Sequence, residues 1–120
     1  MGTDRITKLN AQMQKELGGL VETLVRPEVP GVLVTVTGVE IASTLRSANV
    51  YVSVYGGGKN APQRVLELLH RKRALLQSDM ARKIILKYTP VLTFRLDGTA
   101  ERADRVMSIL RDLHLPEEPA

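Results

Sequence analysis

Apolar residues in the first part of the chain recur with the period of an amphipathic helix. Between residues 3 and 25 they lie three or four positions apart, which places them on one face of a helix. Gly18 and Gly19 weaken this segment, because each glycine costs a helix interior roughly 1 kcal/mol relative to alanine. We predict one helix that the stretch "RPEVPG", residues 26–31, stops, since neither Pro27 nor Pro30 can continue a hydrogen-bonded helix. The apolar positions are Ile6, Leu9, Met13, Leu17, Leu20, Val21 and Leu24.

Two runs rich in β-branched residues follow, separated by a short polar connection. In the second run, residues 48–54, every second residue is apolar. Residues 32–36 alternate in the same way, but Val39 and Ile41 are out of phase with them. One additional residue at Gly38 restores the phase, so the pattern predicts a β-hairpin with a bulge there.

A second amphipathic stretch extends from about Pro62 to Leu86. The basic sequence "HRKR", residues 70–73, interrupts its apolar stripe, so we predict a helix that kinks or changes its buried face near Lys72. The stripe consists of Val65, Leu68, Leu69, Leu75, Leu76 and Met80.

Two further elements complete the chain. The stretch "TPVLTFRLD", residues 89–97, predicts a third strand that is entered through Pro90 and directs Leu92, Phe94 and Leu96 inward. The following residues, up to Leu113, have the capping and apolar pattern of a last helix.

The order helix, strand, strand, kinked helix, strand, helix predicts a small α+β domain. Its three-stranded sheet is expected to be covered by helices on one face, because the valines of the hairpin need burial. The 120 residues suffice for one domain, which we assign to residues 1–113. Residues 114–120 are expected to form a disordered acidic tail.

The composition indicates a folded, cytoplasmic protein. The chain contains no cysteine, which excludes disulfides and thiolate chemistry and is compatible with a reducing compartment. Its N-terminus lacks the apolar stretch of a signal peptide, and no apolar run approaches bilayer length.

The positive charge is concentrated in one segment. The chain has a formal net charge of +4, whereas residues 62–88 hold seven basic and two acidic residues, which gives that segment +5. Such a distribution favours an anionic partner, although a merely solvated helix face is the common alternative. The basic residues are Arg64, Arg71, Lys72, Arg73, Arg82, Lys83 and Lys87.

The stretch "VYGGGKN", residues 54–60, has the order strand, glycine loop and lysine that occurs in phosphate-binding loops. Those loops need glycine five positions before the last glycine and Ser or Thr after the lysine, whereas this chain has Ser53 and Asn60 there. We also expect the preceding strand to belong to an antiparallel hairpin and not to a parallel βαβ unit. A flexible strand-to-helix connection is therefore the preferred interpretation.

No catalytic or metal-binding arrangement is evident. His70 and His114 are far apart and lack a helical partner of the zinc-binding type, so we expect His70 to be a surface or rim residue. We predict no enzymatic activity, no cofactor and no metal. With three tyrosines, one phenylalanine and no tryptophan, base stacking on a sheet is disfavoured, and RNA backbone recognition by charge fits better.

Several stretches resemble the ribosome-binding factor A family. Residues 34–56, "VTVTGVEIASTLRSANVYVSVYG", are similar to that family's hairpin, and residues 89–106, "TPVLTFRLDGTAERADRV", are similar to its third strand and following helix. Order and spacing agree over roughly residues 5–113. The resemblance implies a KH-like domain of the second type and a protein, without catalytic activity, that binds the small (30S) ribosomal subunit. It further implies a role in late maturation of 16S rRNA and in growth at low temperature.

The resemblance also locates candidate RNA contacts at the kink. Where family members carry Ala-x-Gly, this chain has Lys72, Arg73 and Ala74, and Gln77 stands where an arginine usually follows. Side-chain charge would then hold phosphate in place of close backbone approach. Our candidate RNA-binding residues are Lys8, Lys15, Arg64, Arg71, Lys72, Arg73, Gln77, Arg82, Lys83 and Lys87.

Two functions therefore remain in competition at the level of sequence. The first is a non-enzymatic assembly factor that binds 16S rRNA in the small ribosomal subunit and is a monomer when free. The second is a KH-like module whose strand edge or apolar groove binds a protein without direct RNA binding. Their salt dependence distinguishes them, because contacts to phosphate weaken steeply with salt.

Overall fold

Three helices and three strands lie within residues 2–98, which are the residues that the computed structural model describes. This confirms the α+β class and the order of the first five predicted elements, with α2 and α3 as the two halves of the kinked helix. The predicted last helix, the end of the domain at residue 113 and the acidic tail 114–120 lie outside the described residues. The elements are α1 (Gly2–Glu28), β1 (Val32–Ile41), β2 (Ser47–Gly56), α2 (Ala61–Arg71), α3 (Arg73–Lys83) and β3 (Val91–Leu96).

The sheet has the strand order β1-β2-β3. β1 and β2 form the predicted antiparallel hairpin, and Val36 pairs with Val52 while Gly38 pairs with Tyr51. Thr37 is therefore the additional residue of the bulge, which confirms a bulge at this point and explains why Val39 and Ile41 regain the buried face.

β3 pairs with β2 in the parallel direction. The segment from β2 through α2 and α3 to β3 is consequently a parallel βαβ unit, and our expectation that β2 takes part only in an antiparallel hairpin is wrong. The central strand β2 pairs with β1 in the antiparallel direction on one side and with β3 in the parallel direction on the other. Sequence pattern alone did not give the direction in which the third strand joins the sheet.

All three helices cover one face of the sheet, and the core lies between these two layers. Val50 and Val52 of the central strand are fully buried, as are Leu17 and Val21 of α1 and Leu69 of α2. Along β1 and β2, exposed or half-buried residues alternate with the buried ones, and they form the opposite face of the sheet. The helices are therefore held by the apolar stripe that each presents to the sheet.

α1 ends within residues 26–31, as the sequence pattern predicts. It passes through Gly18, Gly19 and Pro27 and ends at Glu28, so only the expectation that Pro27 itself cannot continue the helix is wrong. The N–H of Val29 donates to the carbonyl of Val25 at 2.9 Å, and both valines are buried. Proline lacks only its own N–H donor, and burial on both sides of it maintains the last turn.

The long helix is broken at Lys72, as predicted. Lys72 has φ −99° and ψ 16°, yet its N–H donates to the carbonyl of Leu68 at 2.9 Å and its carbonyl accepts from the N–H of Leu76 at 3.0 Å. Lys72 thus keeps both of its helical hydrogen bonds although the helix is interrupted there. The kink also turns Leu75 outward, where it is 48% exposed, so its assignment to the buried stripe was wrong; α3 buries Leu76 and Met80.

Candidate nucleic-acid interface

The kink presents basic side chains to solvent. Arg71 ends α2 and Lys72 occupies the break, and both are exposed. Arg73 begins α3 and is half-buried; its Nε is buried without a hydrogen-bond partner. A partly packed guanidinium beside two exposed cations gives this point of the fold a fixed positive charge.

Few of the basic side chains are neutralised by ion pairs. Within residues 2–98, two ion pairs form, Arg26 with Glu22 at 3.5 Å and Arg82 with Asp79 at 3.6 Å. The cations at the kink belong to neither pair. Their charge is therefore available to an anionic ligand.

Arg64 and Arg71 share a cleft between the end of α1 and α2. Glu28 and Glu67 also line this cleft, so two cations there face two carboxylates. The local charge is close to balanced, which makes Arg64 a weaker candidate for phosphate binding than Lys72. Arg71 lines this cleft and is also the last residue of α2, directly before the kink.

Lys8 and Lys87 lie together, but in a groove to which the kink contributes no residue. We call it the basic groove. It is formed by the first turns of α1, the connection between β1 and β2, and the connection between α3 and β3. Its lining residues are Arg5, Ile6, Lys8, Leu9, Gln12, Ser43, Leu45, Ile85, Leu86 and Lys87. The structure thus divides the predicted basic surface into separate parts.

The remaining predicted cations are exposed on helices. Lys15 lies on α1, and Arg82 and Lys83 lie in the last turn of α3. Arg82 is paired with Asp79 but its side chain is still largely exposed.

Gln77 has a structural contact that the sequence did not reveal. Its Oε1 accepts a hydrogen bond from the N–H of Leu92 at 3.0 Å and so binds α3 to the outer edge of β3. An arginine, which has donors only, could not accept this bond. Because its acceptor oxygen is engaged, we do not retain Gln77 in the proposed RNA surface.

His70 makes a similar contact. Its Nε2 accepts from the N–H of Phe94 at 3.3 Å, and the imidazole meets the Phe94 ring edge-on with 5.7 Å between centroids. The residue is exposed, as expected, but partial burial of the ring and then the positive charge of Arg73 lower the pKa of His70 below its usual value. The neutral imidazole is thus a hydrogen-bond acceptor for β3.

α1 does the same at the other edge of the sheet. Asn10 accepts from the N–H of Ile41 at 2.9 Å, and Gln14 donates to the carbonyl of Val36 at 3.4 Å. With the contacts from His70 and Gln77, helix side chains occupy backbone groups on both outer strands. These bonds oppose the addition of a further strand at those positions.

The glycine loop is closed by packing. Gly56, Gly57 and Gly58 all have positive φ, between 79° and 93°. A Cβ on Gly57 would overlap the side chain of Val32, and one on Gly56 would lie 2.7 Å from the carbonyl oxygen of Gly31. The glycines are therefore needed to bring the chain past the start of β1 and into α2, which supports the interpretation as a connection.

Arg46 and Tyr88 were not among the candidates from sequence. The guanidinium of Arg46 lies 4.1 Å from the centre of the Tyr88 ring, and the ammonium of Lys87 lies 5.5 Å from it. Arg5, which lines the basic groove, was also not among the candidates from sequence. No sequence signal pairs Arg46 with Tyr88, because the two residues are far apart along the chain and meet only after folding.

No helix within residues 2–98 has the length and hydropathy needed to cross a bilayer.

Comparison with known proteins gives a consistent result. A sequence model of the family described as ribosome-binding factor A matches residues 5–110. Ribosome-binding factor A of Akkermansia muciniphila is 39% identical over 117 residues, which cover 96% of this chain and 90% of that protein. The protein of the same name from Moorella thermoacetica is 33% identical over 109 residues, covering 90% of this chain and 88% of the relative.

Solved structures agree on the fold. The crystal structure of ribosome-binding factor A from Thermus thermophilus aligns with a TM-score of 0.64 at 24% identity, over 76% of this chain and 94% of that one. A homology model of the Thermus thermophilus factor, fitted into a cryo-electron microscopy map of its complex with the 30S subunit, aligns with a TM-score of 0.61 at 24% identity, over 75% and 92% of the two chains. From the match over residues 5–110, the identity to relatives over nearly the whole chain and the shared fold, we conclude that the chain belongs to the ribosome-binding factor A family.

Proposed function

We propose that this chain is a non-enzymatic assembly factor that binds 16S rRNA in the small ribosomal subunit through the kink between α2 and α3. Membership of the family and the 30S complex of the Thermus thermophilus relative support the small subunit as its partner. We further propose that it acts in the cytoplasm, late in maturation of the 16S rRNA, and in growth at low temperature. We assign it no reaction.

The observation that carries the proposal is the exposed, unpaired charge at the kink. Arg71 and Lys72 are exposed and take no part in the ion pairs described above. Phosphate binding by such cations releases counterions, so it supplies affinity without reading sequence. Arg73, the next residue, is half-buried and adds a third positive charge at the kink.

Other cations have secondary places in the proposal. Arg82 and Lys83 lie at the opposite end of α3 from the kink, and the 11 residues of this helix rise about 1.5 Å each. Lys15 is exposed on α1. We propose that these three extend the contact along the RNA backbone, whereas Lys8 and Lys87 belong to the basic groove and Arg64 is partly offset by the carboxylates of its cleft.

The test replaces Arg71 and Lys72 with glutamine together and measures cosedimentation with small subunits at physiological salt. Each charge-assisted contact to phosphate contributes about 1 kcal/mol or more, so binding should fall roughly tenfold or further. The slope of binding against salt should also decrease, because fewer counterions are released. Thermal unfolding should be unchanged, since both side chains are exposed.

A matched control removes the same charge elsewhere. Lys59 lies exposed in the connection before α2, and Arg95 lies exposed on β3. If Lys59→Gln with Arg95→Gln weakens binding as much as the double change at the kink, net charge and not a site explains the effect. Unchanged binding by the kink variant would refute the assignment of the RNA surface.

A further inference from the structure

The basic groove combines an aliphatic floor with a cationic rim. It lies where α1, the β1–β2 connection and the α3–β3 connection meet, and its volume is about 430 Å³. No charged residue of the kink lines it. Its possible role is therefore separate from the proposed RNA surface.

The floor is apolar and only partly covered. Ile6, Leu9, Leu45 and Leu86 are half-buried and pack against the core, so one side of each remains available in the groove. At its margin, Ile85 is 102% exposed, which means that a large aliphatic side chain stands wholly in water. Covering such surface is favourable by about 25 cal/mol per Å².

The rim carries charge of one sign. Arg5, Lys8 and Lys87 line the groove, and among the lining residues that the structure describes there is no carboxylate. Within residues 2–98, none of these three cations takes part in an ion pair. The ammonium of Lys87 lies 5.5 Å from the centre of the Tyr88 ring.

We propose that the basic groove binds a segment of a protein partner that presents a large apolar side chain flanked by acidic residues. The apolar side chain would lie on the floor between Ile6, Leu9 and Leu86, and the carboxylates would meet the cations of the rim. Grooves of this kind bind short segments through one or two apolar anchors.

The lining favours a peptide over an RNA. Proteins bind unpaired bases chiefly by stacking on aromatic rings, and the described residues that line this groove are aliphatic, polar or basic, without an aromatic one. Helix side chains already bond to backbone groups of both outer strands. A peptide that binds in the groove does not need a free strand edge. The groove is thus the better docking surface for a protein.

The test is a selection from a random peptide library displayed on phage, with the full chain as target. Enriched peptides should share an apolar residue flanked by Asp or Glu. Their affinity should fall tenfold or more for Ile85→Ser and for Lys8→Glu, since the first removes apolar contact and the second reverses charge. Both residues are exposed, so the fold should be retained.

Matched controls come from residues of α1 and α3 that lie outside the groove. Leu75→Ser removes an exposed leucine of α3, and Lys15→Glu reverses an exposed lysine of α1; neither residue lines the groove. Both controls should bind the selected peptides as the parent does, and so should the double glutamine variant at the kink. The kink variant separates this proposal from the proposed function.

Three outcomes would overturn the proposal. The first is a selection that enriches no acidic motif, and the second is equal binding of the peptides to the groove variants and the parent. In a nuclear magnetic resonance titration, a single-stranded RNA oligonucleotide that shifts the resonances of Ile6, Leu45 and Ile85, where the peptides do not, would assign the groove to RNA.

Discussion

The imidazole of His70, in α2, accepts a hydrogen bond from the backbone N–H of Phe94, in β3, and packs edge-on against its ring. Two residues further back in the same strand, Leu92 donates to Gln77 of α3. Residues two apart in a strand point their N–H groups to the same side. The two halves of the kinked helix therefore each hold one donor on the free edge of β3, on either side of the break at Lys72.

This arrangement predicts a dependence of stability on pH. Partial burial, and secondly the charge of Arg73, lower the pKa of folded His70 below the ordinary value of 6.5. The unfolded chain then binds a proton more readily than the folded chain. The contribution of His70 to the free energy of unfolding is therefore complete above pH 6.5, and it is lost as the pH falls through the lower pKa of the folded state. Urea unfolding at a series of pH values should show this decline.

His70→Gln provides the control for that measurement. Glutamine does not titrate, and its carbonyl oxygen can accept the bond from Phe94. The decline should become shallower in this variant, while any contribution from His114 remains in both proteins. Equal slopes for the variant and the parent would show that the contact with Phe94 does not govern the effect.

A second prediction concerns Gln77. Gln77→Met retains most of the side-chain volume but removes the acceptor, which leaves the N–H of Leu92 without its partner. We expect a loss of about 1–2 kcal/mol in the free energy of unfolding. Gln77→Glu keeps an acceptor oxygen at the same place and should cost much less. If the two variants are equally stable in urea titrations, the bond from Leu92 contributes nothing measurable.

These edge contacts mark the limit of what the sequence could predict. Periodicity alone indicated the helices, the bulge near Gly38 and the kink at Lys72, because each is a local change in the apolar pattern. The bonds from Gln77 and His70 join residues 15 and 24 positions apart. They depend on β3 lying parallel to β2, which no local pattern encodes.

The candidate site was limited in the same way. A run of cations between residues 62 and 88 suggested one continuous basic surface. In the fold, Lys87 joins Lys8 in the basic groove, and Arg64 faces Glu28 across a cleft. Linear charge density does not reveal which charges come together after folding, nor which are balanced by acids from distant segments.

A third prediction distinguishes two neighbouring glycines. Gly57 and Gly58 both have positive φ, 79° and 93°, but only a Cβ on Gly57 would overlap the side chain of Val32; around Gly58 there is open space. Gly58→Ala should therefore cost about 1–2 kcal/mol for backbone strain alone. Gly57→Ala should cost clearly more, because steric overlap adds to that strain. Thermal unfolding of both variants tests this order, and the reverse order would contradict the packing of the loop against β1.

The last prediction concerns the face of the central strand. Val52 is fully buried, and its partners Val36 and Leu96 lie on the two neighbouring strands. Val52→Asp would place a carboxylate in the core without a partner, which costs several kcal/mol and should leave the chain unfolded at room temperature. Ser53 is the next residue of the same strand, on the opposite face, and is half-buried. Ser53→Asp should consequently retain the far-ultraviolet circular dichroism of the parent and a cooperative unfolding transition. A Val52→Asp variant that melts within a few degrees of the parent would mean that β2 presents its other face to the helices.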